Sequence, residues 1–265
     1  MNIQFISSLL LKSGEILMDG FGKVTQHSNK QDQSNIVTES DFRSEELIRK
    51  IISNEYPDHN ILGEEHGFED KQSDYTWIID PLDGTSNYAA QIPWFGILVA
   101  LLKGGQPILS GAYLPVSDEM YLAEAGKGTT KNRKKIDVTE EVDLKNLLCC
   151  YSLDYSADSS KTDREVQIMK RLVQNCRNLR STNSILDFCM VADGRMGAAL
   201  NQTMKIWDIA APQLIIEEAG GKVTDIEGKR IEYIPSPASL KENFTAIAAS
   251  PEVHEKILNL ISEIK

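Results

Sequence analysis

The chain has 265 residues, of which 41% are hydrophobic and 25% charged, and its formal net charge at pH 7 is −11. This ordinary globular composition suits one large domain or two closely joined subdomains. The excess of acidic residues argues against a nucleic-acid partner, whose phosphates would be repelled, but not against a small phosphorylated molecule held through bound metal ions.

The cysteines and the N-terminal residues predict a cytoplasmic protein. The four cysteines form no Cys-x-x-Cys pair, which favours reduced, buried thiols. The N-terminus has neither a basic leader nor a small-residue cleavage site, and its apolar residues are too few for a membrane span. We therefore expect a cytoplasmic location and no membrane partner.

Two amphipathic helices are predicted near the N-terminus, over residues 1–22 and from residue 38 to Tyr56, because apolar residues recur there at helical spacing. Residues 25–35 between them are polar, which predicts an exposed loop. Lys30 in this loop could steer a phosphate or be an ordinary solvated lysine. Asp41 lies in the first turn of the second helix, where an acid suits the helix dipole, and it is also a candidate site carboxylate.

A short strand is predicted to end in an acidic loop. Ile61 and Leu62 lead into the sequence GEEHG at residues 63–67. The strand mouth would present Glu64 sixteen residues before Asp80, a separation that suits neighbouring strands. Glutamates in loops are commonly just solvated, so both interpretations stand.

The most informative stretch is WIIDPLDGTSN at residues 77–87. The apolar run at 77–79 predicts a buried strand that ends at Asp80, because Pro81 has no N–H with which to continue the ladder. Asp83 follows three residues after Asp80. Two such carboxylates repel each other unless hard cations lie between them.

The residues after these carboxylates suit an anion. Gly84 allows the backbone to turn, and Thr85 can begin a short helix whose N–H groups favour a bound anion. The stretch therefore fits a divalent-metal site beside a phosphate site. It also fits a plain Asp-rich turn, since Asp, Pro and Gly are common turn residues.

Residues 97–123 predict an antiparallel meander, and the basic cluster KNRKK at 131–135 predicts a hairpin tip in water. Beyond it the pattern changes to alternating strands and helices. We place a subdomain boundary there, with residues 1–140 carrying most candidate ligands and residues 141–265 carrying Asp208, the two together forming one catalytic unit. Asp208 lies at the start of the last major helix, where it could be an N-cap or a further site carboxylate.

In order and spacing, these motifs resemble those of the inositol monophosphatase family of metal-dependent phosphatases. The matching stretches cover nearly the whole chain and are GEE at 63–65, WIIDPLDGTSN at 77–87, WDIAA at 207–211 and EAGG at 218–221. The resemblance implies an α/β (α+β) fold, a layered α-β-α-β-α sandwich of the sugar-phosphatase type, with a Mg²⁺ site between its two halves.

The resemblance also implies the metal ligands. Glu64, Asp80 and the carbonyl of Leu82 would hold one Mg²⁺, and Asp80, Asp83 and Asp208 would hold a second. A third, weaker ion would touch Glu64, which therefore counts among the catalytic residues. An all-oxygen ligand set suits Mg²⁺.

The remaining roles are carried over in the same way. Thr85 and Asp41 would orient and deprotonate the attacking water, and the amides of Gly84 and Thr85 would bind the phosphate. Asn183 and Ser184 fall where the family contacts the sugar-like part of its substrates, and Asp208 would also face the substrate. The implied reaction is Mg²⁺-dependent hydrolysis of an inositol monophosphate or a related sugar or polyol phosphate.

One position departs from the family. Inositol-specific members often carry a glutamate seven residues before the aspartate of the Trp-Asp motif, and here that position is Asn201. An amide can still hydrogen-bond a substrate hydroxyl, but it accepts less strongly and carries no charge. This leaves the natural substrate open.

Three other functions stay open. A fructose-1,6-bisphosphatase and a 3′-phosphoadenosine 5′-phosphate phosphatase belong to the same superfamily, and the pair Ser86-Asn87 favours the inositol or fructose type over the nucleotide type. A regulatory protein-binding module on this fold would be expected to have a damaged metal set, whereas all four carboxylates are present. The resemblance further implies a homodimer and inhibition by lithium.

Overall fold

The computed structural model describes residues 2–23, 28–29 and 36–264, with only the backbone described at 28–29. The described helices are α1 (Ile3–Gly20), α2 (Glu39–Glu55), α3 (Thr85–Ala89), α4 (Ser159–Asn175), α5 (Leu186–Ala192), α6 (Ile206–Glu217) and α7 (Pro251–Ile261). Lys30 lies outside the described residues. None of the described helices is long and apolar enough to cross a membrane.

Two large sheets and one small one contain the described strands. The strands are β1 (Ser28–Asn29), β2 (Ile36–Val37), β3 (Asn60–Gly63), β4 (Gly67–Glu69), β5 (Tyr75–Asp83), β6 (Gly96–Lys103), β7 (Gln106–Leu114), β8 (Glu119–Glu124), β9 (Gly128–Lys131), β10 (Lys134–Ile136), β11 (Leu148–Ser152), β12 (Asn178–Arg180), β13 (Ala198–Met204), β14 (Lys222–Thr224) and β15 (Phe244–Ala249). The pair β1–β2 forms the small sheet, so the predicted loop at 25–35 contains at least the strand β1.

The first large sheet has the strand order β10-β9-β8-β7-β6-β5-β3-β4. The meander from β5 to β10 is antiparallel throughout. Strands β3 and β5 are parallel neighbours, with Gly63 opposite Ile79. Because parallel neighbours end at the same edge of a sheet, the loop with Glu64 and the carboxylate of Asp80 emerge side by side, as the sequence predicts.

The second large sheet has the order β12-β11-β13-β15-β14. Its central strand β13 is parallel to β11 and antiparallel to β15. Sequence reasoning missed β13, since the stretch AALNQTM has little of the β-branched and aromatic character that marks a strand. The middle of this strand places Asn201 in the cleft described below.

The layers alternate as α-β-α-β-α, which confirms the predicted fold. Helices α1 and α2 pack on one face of the first sheet around Trp77 and Ile79, and α5 and α6 fill the space between the two sheets. Helices α4 and α7 cover the outer face of the second sheet. The central core joins residues from both sheets, such as Ile78 and Ala248. The division at residue 140 stays a prediction.

Two local predictions were wrong. Strand β5 does not stop at Pro81 but continues to Asp83, because the pairing with β6 shifts register between Asp80 and Asp83 and so needs no N–H from the proline. The basic cluster does form a hairpin tip, with Asn132 and Arg133 at positive φ. Lys131, however, is not in water: its side chain is 21% exposed and pairs with carboxylates of β8 and the α5–β13 loop.

Candidate active site

A cleft of about 920 Å³ opens where the ends of β5 and β13 approach the N-terminus of α6. It is large enough for a phosphorylated small molecule, since ligand cavities in proteins are typically ~300–1,000 Å³. Every site residue predicted from the sequence lines this cleft except Asp41, which lies directly behind it. The lining set among them is Glu64, Asp80, Leu82, Asp83, Gly84, Thr85, Asn183, Ser184, Asn201 and Asp208.

Three carboxylates converge in this cleft. Oxygen atoms of Asp80, Asp83 and Asp208 all lie within 4.8 Å of one another. Asp80 and Asp83 come from the irregular end of β5, and Asp208 is the third residue of α6. Strand β5 of the first sheet and helix α6 between the two sheets therefore contribute to the same candidate metal centre.

Each of these carboxylates is oriented by a backbone N–H. The amide of Leu82 donates to Asp80 Oδ1 at 3.1 Å, and that of Lys205 donates to Asp208 Oδ2 at 2.7 Å. Asp208 is thus not the N-cap of α6: it is the third residue of the helix, and its carboxylate accepts from the backbone N–H of the N-cap residue Lys205. The amide of Ile185, from the loop before α5, donates to Asp83 Oδ1.

The electrostatics of the cluster favour a bound cation. Burial and the charges of Glu64, Asp83 and Asp208 raise the pKa of Asp80 well above its ordinary value. Burial likewise raises the pKa of Asp83 to about 7, although the hydrogen bond from Ile185 opposes the shift. The pKa of Asp208 is also raised, first by burial. Repulsion between buried carboxylates is relieved when a hard divalent ion replaces the proton, so this oxygen-only donor set fits Mg²⁺.

Glu64 completes the acidic wall, and a buried glutamate positions its loop. Glu45 of α2 is fully buried, and its carboxylate accepts from the amides of Glu65 at 2.7 Å and His66 at 3.2 Å. A Cβ on Gly63 would lie only 2.0 Å from Glu45 Oε1, so only glycine leaves room for this carboxylate. Sequence reasoning missed Glu45, because no local pattern distinguishes it from other acids of an amphipathic helix.

The side chains of Thr85 and Asp41 are joined by a hydrogen bond at the edge of the cleft. Thr85 Oγ1 lies 3.1 Å from Asp41 Oδ1 and 2.9 Å from the carbonyl oxygen of Leu82. Asp41 Oδ2 accepts from the amide and hydroxyl of Thr38, at 2.9 and 2.6 Å. Burial raises the pKa of Asp41 to about 7, and the hydrogen bonds from Thr38 oppose the shift. A proton can therefore be exchanged near neutral pH at the wall of the cleft.

Gly84 shapes the adjoining turn. Its φ of +82° is a left-handed conformation, and a Cβ there would lie 2.7 Å from the carbonyl oxygen of Trp94. Gly84 and Thr85 both line the cleft where α3 begins, and the N–H groups of a helix's first turn have no acceptor within the helix. Asn87 braces this turn, since its side-chain amide donates to the carbonyls of Trp94 at 2.9 Å and Thr182 at 2.8 Å.

The predicted substrate contacts Asn183 and Ser184 line the cleft beside this turn, since a Cβ on Gly84 would lie 3.2 Å from the Cβ of Ser184. Asn183 has a positive φ of 52°, and its side-chain amide donates to Asp154 at 3.0 Å. Ser184 Oγ lies 3.0 Å from the hydroxyl of Thr182. Asp154 was missed from the sequence, because it approaches Asn183 only through the tertiary fold.

Comparison with known proteins identifies the family. The sequence model described as "Inositol monophosphatase family" matches residues 3–265. The chain belongs to the inositol monophosphatase family. A fructose-1,6-bisphosphatase/inositol-1-monophosphatase of Aquifex aeolicus is 36% identical over 220 residues, 81% of each chain. A relative named Nus factor SuhB, from Pasteurella multocida, is 33% identical over 253 residues, 94% of this chain and 91% of the relative.

Solved structures agree with this assignment. An inositol monophosphatase of Thermotoga maritima superposes with a TM-score of 0.87 at 30% identity, covering 98% of this chain and 96% of that one. The extragenic suppressor protein SuhB of Bartonella henselae gives a TM-score of 0.89 at 26% identity over 98% of both chains. The chain is therefore a member of a phosphatase family with the family's full fold.

Proposed function

We propose that the protein is a Mg²⁺-dependent phosphoric monoester hydrolase acting on inositol monophosphate or a related sugar or polyol phosphate. The observation that carries the proposal is the convergence of Asp80, Asp83 and Asp208 within 4.8 Å, next to Glu64 in an open cleft. Three converging carboxylates with Glu64 in the same cleft cost stability without a ligand, and the oxygen donors match Mg²⁺. Relatives whose names state this activity support it.

In this proposal Glu64, Asp80 and the carbonyl of Leu82 would hold one ion, and Asp80, Asp83 and Asp208 would hold a second. Glu64 would also contact a third, weaker ion. Bound Mg²⁺ supplies Lewis acidity that stabilises negative charge on the phosphoryl group and on the leaving oxygen. Phosphate monoesters hydrolyse so slowly that stabilisation on the order of 20 kcal/mol is required.

The chain's other residues position the reactants. The hydroxyl of Thr85 orients the attacking water, and Asp41 behind it accepts the proton that the water releases. The backbone amides of Gly84 and Thr85 donate to the phosphate oxygens, while Asn183, Ser184, Asn201 and Asp208 contact the sugar-like part. Water attacks the phosphorus directly, so no residue becomes covalently phosphorylated. The same proposal includes a cytoplasmic homodimer that is inhibited by lithium.

Phosphate release from myo-inositol 1-phosphate with and without Mg²⁺ tests the proposal. We expect activity only with Mg²⁺, and Asp80→Asn should lower kcat by roughly 100-fold or more, because it removes a shared ligand. Asp58→Asn, which removes an exposed carboxylate, is the matched control and should keep the parent rate. A Mg²⁺-induced rise in Tm that Asp80→Asn abolishes gives a second readout. Full activity in chelator would refute the proposal.

A regulatory role is the second candidate, favoured by the relatives named Nus factor SuhB. Such a role would act through protein contacts rather than through the cleft. The two functions are separable, because Asp80→Asn should abolish hydrolysis while leaving any protein-binding surface intact. If the parent captures a protein partner, retention of that partner by Asp80→Asn would assign the binding to protein contacts rather than to the phosphatase chemistry.

A further inference from the structure

A buried carboxylate outside the acidic cluster lies next to the segment that precedes α5. Asp187 is in the first turn of α5 and is 1% exposed. Its hydrogen-bond donors include hydroxyl and backbone N–H groups, which carry no charge. Burying a carboxylate is costly unless such donors compensate for the lost water, so the contacts of Asp187 indicate what it does.

The carboxylate of Asp187 joins strand β11 to the segment before α5. Ser152, the last residue of β11, donates from its hydroxyl to Asp187 Oδ2 at 2.9 Å. Thr182 uses both of its donors: its backbone N–H donates to Oδ2 at 3.2 Å and its hydroxyl to Oδ1 at 3.0 Å. Asp187 therefore fixes Thr182 against the second large sheet.

Thr182 is also held by the helix that follows the glycine turn of the cleft. Its carbonyl accepts from Asn87 Nδ2 at 2.8 Å, and Asn87 belongs to α3, which begins at Thr85. Because the Thr182 hydroxyl donates to Asp187, it accepts from Ser184 Oγ at 3.0 Å. Thr182 is thus fixed between α3 and α5, and Ser184 is fixed through it.

The same segment leads directly to the carboxylate centre. Asn183 and Ser184 follow Thr182 and line the cleft. The next residue is Ile185, whose backbone N–H donates to Asp83. A displacement of Thr182 would therefore move two cleft residues and the N–H that orients Asp83. Hydrogen bonds behind a metal ligand fix its orientation in this way.

We propose that Asp187 is a positioning residue of the active site, which acts through the segment 182–185 to orient Asp83 for the metal ion. The inference rests on the proposed phosphatase function. Asp187 itself contacts neither metal nor substrate, but the segment that it holds contributes to both: Ile185 orients Asp83, and the two residues before Ile185 face the substrate. Loss of Asp187 should therefore change metal affinity, kcat and KM together.

The same substitution at the two ends of α5 tests the inference. Asp187→Asn keeps the size of the side chain but replaces one acceptor oxygen with an N–H donor. For myo-inositol 1-phosphate we expect kcat to fall roughly 10-fold and KM to rise roughly 3-fold, and the affinity for Mg²⁺ without substrate should fall roughly 10-fold in calorimetric titration. Asp193→Asn alters another buried carboxylate, 6% exposed and directly after α5, and is the matched control that should keep all three values.

Two variants of Thr182 separate positioning from charge. Burial, Glu64 and Asp187 all raise the pKa of Asp83, so loss of the Asp187 charge would by itself change Mg²⁺ binding. Thr182→Val keeps that charge and removes only the hydroxyl between Asp187 and Ser184. It should lower kcat/KM and Mg²⁺ affinity roughly 3-fold each, the scale of one neutral hydrogen bond. Thr182→Ser keeps the hydroxyl and should match the parent. Both variants leave Asp187 its backbone donor, so they test the inference even if Asp187→Asn does not fold.

The outcomes distinguish this inference from the proposed function. If Asp187→Asn lowers Tm but keeps the parent's kcat, KM and Mg²⁺ affinity, Asp187 is purely structural and the inference is overturned, while the phosphatase function stands. Losses as large in Asp193→Asn, or parent values in Thr182→Val, overturn it as well, because the effect would then not pass through the segment 182–185. If the parent releases no phosphate from any ester in Mg²⁺, the phosphatase function fails, and Mg²⁺ titration of the same variants still decides whether Asp187 orients Asp83.

Discussion

The backbone N–H of Ile185 donates a hydrogen bond to Asp83, which lies 102 residues earlier in the chain. This contact joins the irregular end of β5 to the loop before α5, so one carboxylate of the centre is oriented by the other half of the fold. Asp187 in turn accepts from the amide and hydroxyl of Thr182 at the start of that loop. The candidate centre therefore forms only when both halves are in place.

Replacing Asp83 should stabilise the metal-free protein and abolish hydrolysis. Asp83→Asn keeps an oxygen for the Ile185 amide but removes one of the repelling charges. In chelator at pH 8 we expect Tm to rise by about 3 °C or more, which corresponds to roughly 1 kcal/mol in a chain of this size. The Mg²⁺-induced rise in Tm should shrink at the same time, and hydrolysis should be lost.

Differential scanning calorimetry with and without Mg²⁺ measures both effects of Asp83→Asn. Asp58→Asn serves as the control, since it removes an exposed carboxylate far from any such repulsion and should change neither value. If Asp83→Asn lowers Tm in chelator, the carboxylates are not in electrostatic conflict and the argument for a cation at this point fails.

The metal-free protein should lose stability as pH rises. The pKa values of Asp41 and Asp83 are raised from 3.8 to about 7 in the folded protein. Between about pH 4 and pH 7 the folded state thus binds more protons than the unfolded state at these groups, so their contribution to the free energy of unfolding falls with rising pH. Excess Mg²⁺ should cancel much of this loss, because it favours the ionised carboxylates.

Urea unfolding in chelator between pH 5 and pH 8 tests this dependence. His254 acts in the opposite direction, since burial lowers its pKa to about 4, and its contribution falls as pH decreases below 6.5. We therefore compare how steeply the free energy of unfolding falls with rising pH in the parent and in Asp83→Asn. The fall should be shallower in the variant. Equal slopes for the two proteins would contradict the assignment.

Glu45 should matter both for stability and for metal binding. Its carboxylate accepts hydrogen bonds from the backbone N–H groups of Glu65 and His66, which follow Glu64 in the loop. It also pairs with Arg49 at 3.2 Å. Glu45→Ala removes the buried acceptor of these part-buried amides and one partner of Arg49, so we expect a loss of roughly 2 kcal/mol in the free energy of unfolding. The affinity for Mg²⁺ should fall roughly 10-fold, because the loop that carries Glu64 loses its support.

The neighbouring residue provides the control for Glu45. Glu46→Ala removes the same group from the next position of α2, where the side chain is 69% exposed, and should change the free energy of unfolding by less than about 0.5 kcal/mol. Chemical unfolding and calorimetric Mg²⁺ titration give the two readouts. If Glu45→Ala bound Mg²⁺ as tightly as the parent, Glu45 would not be needed to hold the loop that carries Glu64.

The sequence predicted those parts of the site that depend on strand ends and turn chemistry. Asp80 ends a buried apolar run and Gly84 sits where a left-handed turn is needed, and both patterns are local. The spacing between Glu64 and Asp80 predicted that their strands are neighbours, and the structure shows that β3 and β5 pair in parallel. A few residues that are close in the sequence determine these features, so they can be predicted from the sequence alone.

The features that sequence reasoning missed are set by tertiary contacts. Strand β13 has weak strand character of its own and is extended because β11 and β15 pair with both of its edges. Lys161 and Glu45 look like ordinary charges on amphipathic helices, and only the fold brings Lys161 to the cleft and Glu45 beneath the loop that carries Glu64. Strand β5 continues through Pro81 because its pairing with β6 shifts register there, and no sequence pattern indicates such a shift.

Gly84 should be irreplaceable for steric reasons beyond its backbone angle. Gly84 and Gly220 have nearly the same φ, +82° and +84°, but a Cβ at 84 would lie 2.7 Å from the carbonyl oxygen of Trp94, whereas a Cβ at 220 would meet no described atom within 4 Å. Gly220→Ala should therefore cost only the conformational strain of about 1 kcal/mol and keep the parent turnover.

Gly84→Ala carries the same strain and also a clash with a backbone atom that cannot rotate away. We expect a loss at least about 2 kcal/mol larger than that of Gly220→Ala, since the turn must shift to accommodate the methyl group. Because the shifted amides of Gly84 and Thr85 no longer point at the phosphate, kcat/KM should fall roughly 100-fold. Urea unfolding and phosphate release measured on both variants make the comparison, and equal behaviour of the two would show that the turn tolerates a side chain.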